Sequence, residues 1–209
     1  MLFRSPVYLA GESLGVPLAM QVASIHPELV DGMILSAPPV RFYPIFLPVF
    51  FTQLAKGSTH PHLPLDMSPY IRRYISNDPL IIEERLGHPM CRNSLTLPEI
   101  LSCRRFNHSA LRWARHVPPD KPVLILQGNH DQFFKPKSAS DLLARLHSAD
   151  GTIKCFAEQG HLLLETQHIR AETLAVVSDW LNQHVAKQAE LFSNLSGQTA
   201  PAGQGVRDN

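Results

Sequence analysis

Apolar residues gather in four short runs, Val7 to Ala10, Met33 to Ala37, Val123 to Gln127 and Thr152 to Phe156, each bounded by turn-forming residues. Their shortness and β-branched content predict buried strands. Between the runs the spacing becomes helical. Leu18, Val22 and Ile25 share one face before Pro27, Leu142, Leu143 and Leu146 form a second, and Leu174, Val177 and Leu181 a third. Strands alternating with helices predict βαβ crossovers and a parallel sheet, so the fold class is α/β. The interval between the second and third strands is too long for a simple crossover and predicts a helical cap over the carboxyl edge of the sheet. This divides the chain into a core of residues 1–37 and 120–190, a cap or lid of residues 38–119, and a disordered tail of residues 191–209. The tail is polar and built of small residues, with too little apolar surface to fold.

With 209 residues, 44% of them hydrophobic, the chain has material for a real core, which excludes collagen-like, disordered and small disulfide-framework classes. A formal charge of +1 with no basic stripe excludes an electrostatic nucleic-acid binder. Cys91, Cys103 and Cys155 are widely spaced with no CxxC, which predicts free buried thiols in a reducing, cytoplasmic compartment. No signal-peptide pattern precedes the first strand. The most lipid-like segment, Phe42 to Leu54, is interrupted by two prolines and is well short of the roughly 20 residues a spanning helix needs.

The strongest chemical signal is Gly11-Glu12-Ser13-Leu14-Gly15, a GxSxG placed between the first strand and the first helix. A sharp strand-to-helix turn there lifts Ser13 to the sheet edge as a nucleophile, and the flanking glycines permit close backbone approach. The Leu14 amide, at the helix N-terminus, would face an oxyanion. The competing reading is a glycine-rich turn with Ser13 as a helix cap. A serine nucleophile needs a base, and the base needs an acid to hold its tautomer. Asp131 lies in the loop leaving the third strand, and His161 in the loop leaving the fourth. Both fall where the active-site groups of open α/β sheets collect. His130 sits beside Asp131 and His168 lies beyond the base loop, and both rank below His161.

With these residues in place, the chain resembles the α/β-hydrolase superfamily, in its monoacylglycerol lipase or lysophospholipase-like branch, which includes serine-aminopeptidase-like members. The resemblance rests on PVYLAGESLG at 6–15, MILSAP at 33–38, SNDP at 76–79, PVLILQGNHD at 122–131 and EQGHLLLE at 158–165. It implies Ser13 as nucleophile, Asp131 as acid, His161 as base and Leu14 as one oxyanion amide, with no metal or organic cofactor. Family members carry about four more strands before the elbow and a loop supplying a second oxyanion amide. The expectation is therefore an N-terminally truncated hydrolase fold, with an apolar edge on the first strand.

Just after the second strand, Phe42, Phe46 and Phe50 belong to an aromatic and aliphatic stretch. It reads either as an acyl-chain pocket or lid touching a membrane surface, or as the core of the cap itself. His60 and His62 lack a third metal ligand nearby, and Arg104, Arg105, Arg112 and Arg115 read as a solvated helix face. The functional expectation is a serine hydrolase of carboxylic esters with lipid-like substrates such as monoacylglycerol or lysophospholipid. Two alternatives stay open: a catalytically incompetent hydrolase fold that binds an apolar ligand or partner, and an amide or peptide hydrolase of the same fold.

Overall fold

The structure, a computed structural model, describes residues 5–44, 51, 54–56, 58–164 and 166–197. Strand β1 (Tyr8–Glu12) runs into helix α1 (Gly15–Ile25), a short 3-10 turn (Pro27–Leu29) and β2 (Gly32–Ser36). The inserted segment contributes β3 (Leu65–Asp66), α2 (Ser68–Tyr74), α3 (Pro79–Gly87), β4 (Ser94–Leu95), α4 (Leu97–His108) and α5 (Ala110–Ala114). The chain returns as β5 (Val123–Gly128), α6 (Lys137–Leu146), β6 (Gly151–Phe156) and α7 (Ala171–Gly197). The four expected strands form one sheet in the order β1-β2-β5-β6, all parallel. Glu12 pairs with Ser36 and Gly128 with Phe156, so the carboxyl ends of the strands and the loops that follow share one edge.

Alternation along the strands loads both faces of the sheet. Met33, Leu35, Val123 and Ile125 pack with α1, α5 and α6, whereas Ile34, Leu124, Leu126 and Phe156 pack with Trp180 of α7. Each such large side chain, fully buried, contributes about 1.5–3 kcal/mol. Two of the three helical faces expected from the larger apolar residues hold only in part: Val22 of α1 and Val177 and Leu181 of α7 pack half-buried against the core, while the deepest positions lie beside them. On α1 the buried positions are Val16, Ala19, Met20 and Ala23, while Leu18 and Ile25 are 54% and 52% exposed. Small alanines let the helix lie close to the sheet and to α5, and this proximity outweighs the size of Leu18 and Ile25. On α7 the buried residues are Thr173 and Trp180, and Leu174 is exposed. The α6 face is as expected, with Leu142 and Leu146 buried.

The insertion does not separate from the core where the sequence suggested. Ala110, Ala114 and Val117 are buried in the same cluster as α1 and α6, so the chain rejoins the core at α5 instead of at residue 120. Helix α7 also runs on to Gly197, into the segment expected to be a disordered tail. Ala, Gln, Glu and Leu follow the packed part of α7, and a nucleated helix propagates through such residues at little cost. The cysteines are free, as expected, but none is buried: Cys91 and Cys103 are half-buried and Cys155, on the edge strand β6, is exposed. Among the described residues no helix is long and apolar enough to cross a membrane.

In the cap, Glu99 accepts hydrogen bonds from the Thr96 amide (2.8 Å) and hydroxyl (2.9 Å) and from Arg92 (2.7 Å), closing the first turn of α4. The Arg92 bond first, then the two from Thr96, hold its carboxyl down from 4.5 to about 2. A folded-state value below the unfolded one stabilises above the unfolded value and is lost as pH falls through the folded one. We expect the melting-temperature gap between wild type and Glu99→Gln to be full at pH 6 and to shrink from pH 5 toward pH 2. A gap constant across that range would contradict the assignment.

Candidate active site

The elbow is shaped by the closeness of β1 to the start of α1. A Cβ on Gly11 would lie 2.5 Å from the Gly15 carbonyl oxygen, so that position must be glycine. A Cβ on Gly15 would meet nothing within 4 Å, so the close approach is made at Gly11 alone. Between them Ser13 adopts φ 53°, a left-handed conformation that costs a non-glycine residue on the order of 1 kcal/mol. Its amide donates to the Ser36 carbonyl at 2.9 Å and its carbonyl accepts from Val16 at 3.1 Å, which holds the strained turn in place. Leu14 follows in helical geometry as the residue capping α1, where its amide belongs to the unpaired first turn of the helix.

Ser13, His161 and Asp131, expected from the sequence as nucleophile, base and acid, lie in one hydrogen-bonded line. Ser13 Oγ is 2.9 Å from His161 Nε2, and His161 Nδ1 is 2.9 Å from Asp131 Oδ2. With Nδ1–H donating to the carboxylate, Nε2 is left to accept the serine proton. The His161 and Asp131 side chains are almost wholly buried. Asp131 Oδ1 accepts from the Phe133 and Phe134 amides at 2.8 and 3.0 Å, and Oδ2 also accepts from Gln127 Nε2 at 3.3 Å. Such a fully partnered carboxylate has one orientation available, and it presents that orientation to the imidazole.

Aromatic rings surround the buried imidazole. Phe133 and Phe134 lie 4.8 and 5.1 Å from the His161 ring, centroid to centroid. Phe42, expected in the pocket or lid, packs edge-on against Phe134 at 5.0 Å, one ring removed from the histidine. Phe46 and Phe50 lie outside the described residues. An open cleft of about 280 Å³ adjoins the acid loop, lined by Tyr43, Asn77, Asn129, His130, Asp131 and Gln132. His130 is exposed on this cleft side, and the acid contacts His161 instead. Arg104, Arg105, Arg112 and Arg115 are exposed, and Arg112 lies over the Trp113 ring.

Sequence reasoning passed over Glu12, Gln127 and the Phe133–Phe134 pair. Gln127 had a usable signal, a polar residue closing an otherwise apolar buried strand. Glu12 had none, because the second position of GxSxG is chemically open.

A human monoglyceride lipase is 28% identical over 193 residues, covering 87% of this chain and 60% of its own length. A Saccharomyces cerevisiae monoglyceride lipase is 22% identical over 201 residues, covering 88% of this chain and 63% of its own. The chain thus spans about 60% of the length of the curated relatives it matches. Among solved structures, a monoacylglycerol lipase of Paleococcus ferrophilus superposes with TM-score 0.66 at 22% identity, over 86% of this chain and 69% of that one. A soluble variant of the yeast lipase, in complex with a substrate analogue, gives TM-score 0.68 at 18% identity over 87% and 62%. These two likenesses establish the α/β-hydrolase fold. The family model described as serine aminopeptidase, S33, matches residues 3–167, most of the chain, and the chain belongs to that family of α/β hydrolases.

Proposed function

We propose that the protein is a serine hydrolase that cleaves carboxylic esters of lipid-like alcohols, with monoacylglycerol as the substrate type. The observation that supports this reading is the unbroken line from Ser13 Oγ through a buried imidazole to a fully partnered Asp131. As Ser13 Oγ bonds to the ester carbonyl carbon, its proton moves to His161 Nε2, and Asp131 stabilises the imidazolium. The Leu14 amide donates to the oxyanion. Collapse of the tetrahedral intermediate breaks the ester C–O bond, and His161 returns the proton to the departing alcohol. Water, deprotonated by the same nitrogen, then releases the acid and restores Ser13.

We assign Phe42 to the acyl side of the site and to peripheral contact with a lipid surface, a role that the sequence alone extends to Phe46 and Phe50. The polar side chains of Asn77, Asn129 and Gln132 in the cleft suit the hydroxyl-bearing side of the substrate. Three unpaired thiols favour a reducing, cytoplasmic setting. The relatives named monoglyceride lipase support the ester, whereas the family description, serine aminopeptidase, supports an amide as second reading. A panel of monoacylglycerols, short-chain p-nitrophenyl esters and aminoacyl anilides separates them. Glycerol esters are expected to turn over at least about tenfold faster than the anilides, a difference of roughly 1.4 kcal/mol in transition-state binding. Faster cleavage of the anilides would overturn the ester assignment.

A further inference from the structure

His161 stands on the loop after β6, so its placement against Ser13 depends on what holds that loop. The amides that follow the histidine point to one side chain on another strand. Leu163 N donates to Glu12 Oε1 at 2.8 Å, and Leu164 N donates to Oε1 and Oε2, both at 3.2 Å. Ser36 Oγ donates to the same Oε1 at 2.5 Å. Glu12 is the last residue of β1, directly before Ser13 and in register with Ser36, whose carbonyl in turn holds the Ser13 amide. One carboxylate therefore ties the nucleophile strand, its neighbouring strand and the base loop together. The far end of the loop is held from the cap, where Glu84 accepts from Thr166 Oγ1 at 2.9 Å and from the Gln167 amide at 3.0 Å.

We propose that Glu12 is a positioning residue that sets His161 against Ser13 by holding the Leu163 and Leu164 amides, an inference that rests on the hydrolase reading above. The chemistry of the donors explains why a carboxylate stands there. Two consecutive backbone amides and a buried hydroxyl converge on it, and only an acceptor-only group with several lone pairs on two oxygens can serve all three. Glutamine retains one oxygen, already shared by Leu163, Leu164 and Ser36, and replaces the second acceptor of Leu164 with an amine. Alanine leaves all three donors without their partner, and the loop must move to find water. A drift of about 1 Å at a reacting group costs on the order of 100-fold in rate.

The test compares wild type, Glu12→Gln, Glu12→Ala and Ser36→Ala in fluorophosphonate labelling, with rates normalised to the folded fraction. The maximal labelling rate should fall about 100-fold in Glu12→Ala and by an intermediate factor in Glu12→Gln, while half-saturation by the probe stays put. A purely structural role would lower the melting temperature and leave the rate per folded molecule unchanged. Two readouts need no activity: amide exchange at Leu163 and Leu164, and the low-field proton resonance of His161 Nδ1–H bonded to Asp131. Exchange should quicken and the resonance should broaden or shift in Glu12→Ala. If that variant does not fold, Glu12→Gln and Ser36→Ala carry the same comparison with fewer bonds removed. Wild-type exchange, resonance and rate in the folded variants would overturn the positioning role. A wild-type protein that never labels, yet whose His161 resonance responds to Glu12, would sink the hydrolase reading and leave the positioning role standing.

Discussion

Ser13→Ala is expected to abolish covalent labelling by a fluorophosphonate and to lower ester turnover by on the order of 10,000-fold or more in a chain that still folds. The size of the effect follows from the geometry. Ser13 Oγ is the group within hydrogen-bond reach of His161 Nε2, and alanine leaves the base with no nucleophile to deprotonate. Folding should survive, because the elbow is held by backbone bonds of Ser13 that alanine retains, to Ser36 and from Val16. The lost side-chain hydrogen bond is worth only about 1 kcal/mol. Circular dichroism beside the labelling assay checks both halves of the expectation. Undiminished labelling of the alanine variant would place the nucleophile elsewhere and end the assignment of Ser13.

Gly128→Ala should show the second large effect, on stability and activity together. A Cβ at this position would lie 2.1 Å from the Gly160 carbonyl oxygen and 2.4 Å from that of Gln159. Both obstacles are backbone, so no rotamer change relieves the clash and the two loops must separate. Overpacking of this kind costs about 3 kcal/mol, a sizeable part of the roughly 5–15 kcal/mol that holds a domain together. Gly128 opens the loop that carries Asp131, and Gly160 directly precedes His161. The same displacement therefore stretches the acid–base contact, and labelling per folded molecule should fall on the order of 100-fold. Urea unfolding and labelling kinetics read the two losses separately. A variant with the wild-type unfolding midpoint and labelling rate would mean that the loops do not touch as described.

The contrast between Gly11, Gly15 and Gly128 shows how far the letters could be read. The motif marks Gly11 and Gly15 alike, yet only Gly11 is pressed against neighbouring backbone, and Gly128, outside the GxSxG, is under the tightest constraint among the described glycines. Close approach is a property of two chain segments, and a residue's own neighbours do not record it. Helix faces were misread in part for a related reason. Leu18 and Ile25 outrank Ala19 and Ala23 in hydrophobicity, but the sheet and α5 lie so near α1 that small residues fill the contact. At α6 the large residues Leu142 and Leu146 point inward and the simple pattern holds.

The sequence alone determined what depends on a few adjacent residues: the four strands, the α/β alternation, the turn carrying Ser13, and loops carrying Asp131 and His161. Strand propensity, helical period and turn chemistry act over such short distances, so they are written in local order. Tertiary structure alone decided what depends on residues brought together from afar. It set the strand order, brought His161 to Ser13 across 148 residues and to Asp131 across 30, and returned α5 to the core. It also turned Glu12, an unmarked letter, into the acceptor for the base loop. Those choices follow from packing and from the need to satisfy buried donors, and both are settled only when the whole chain has closed on itself.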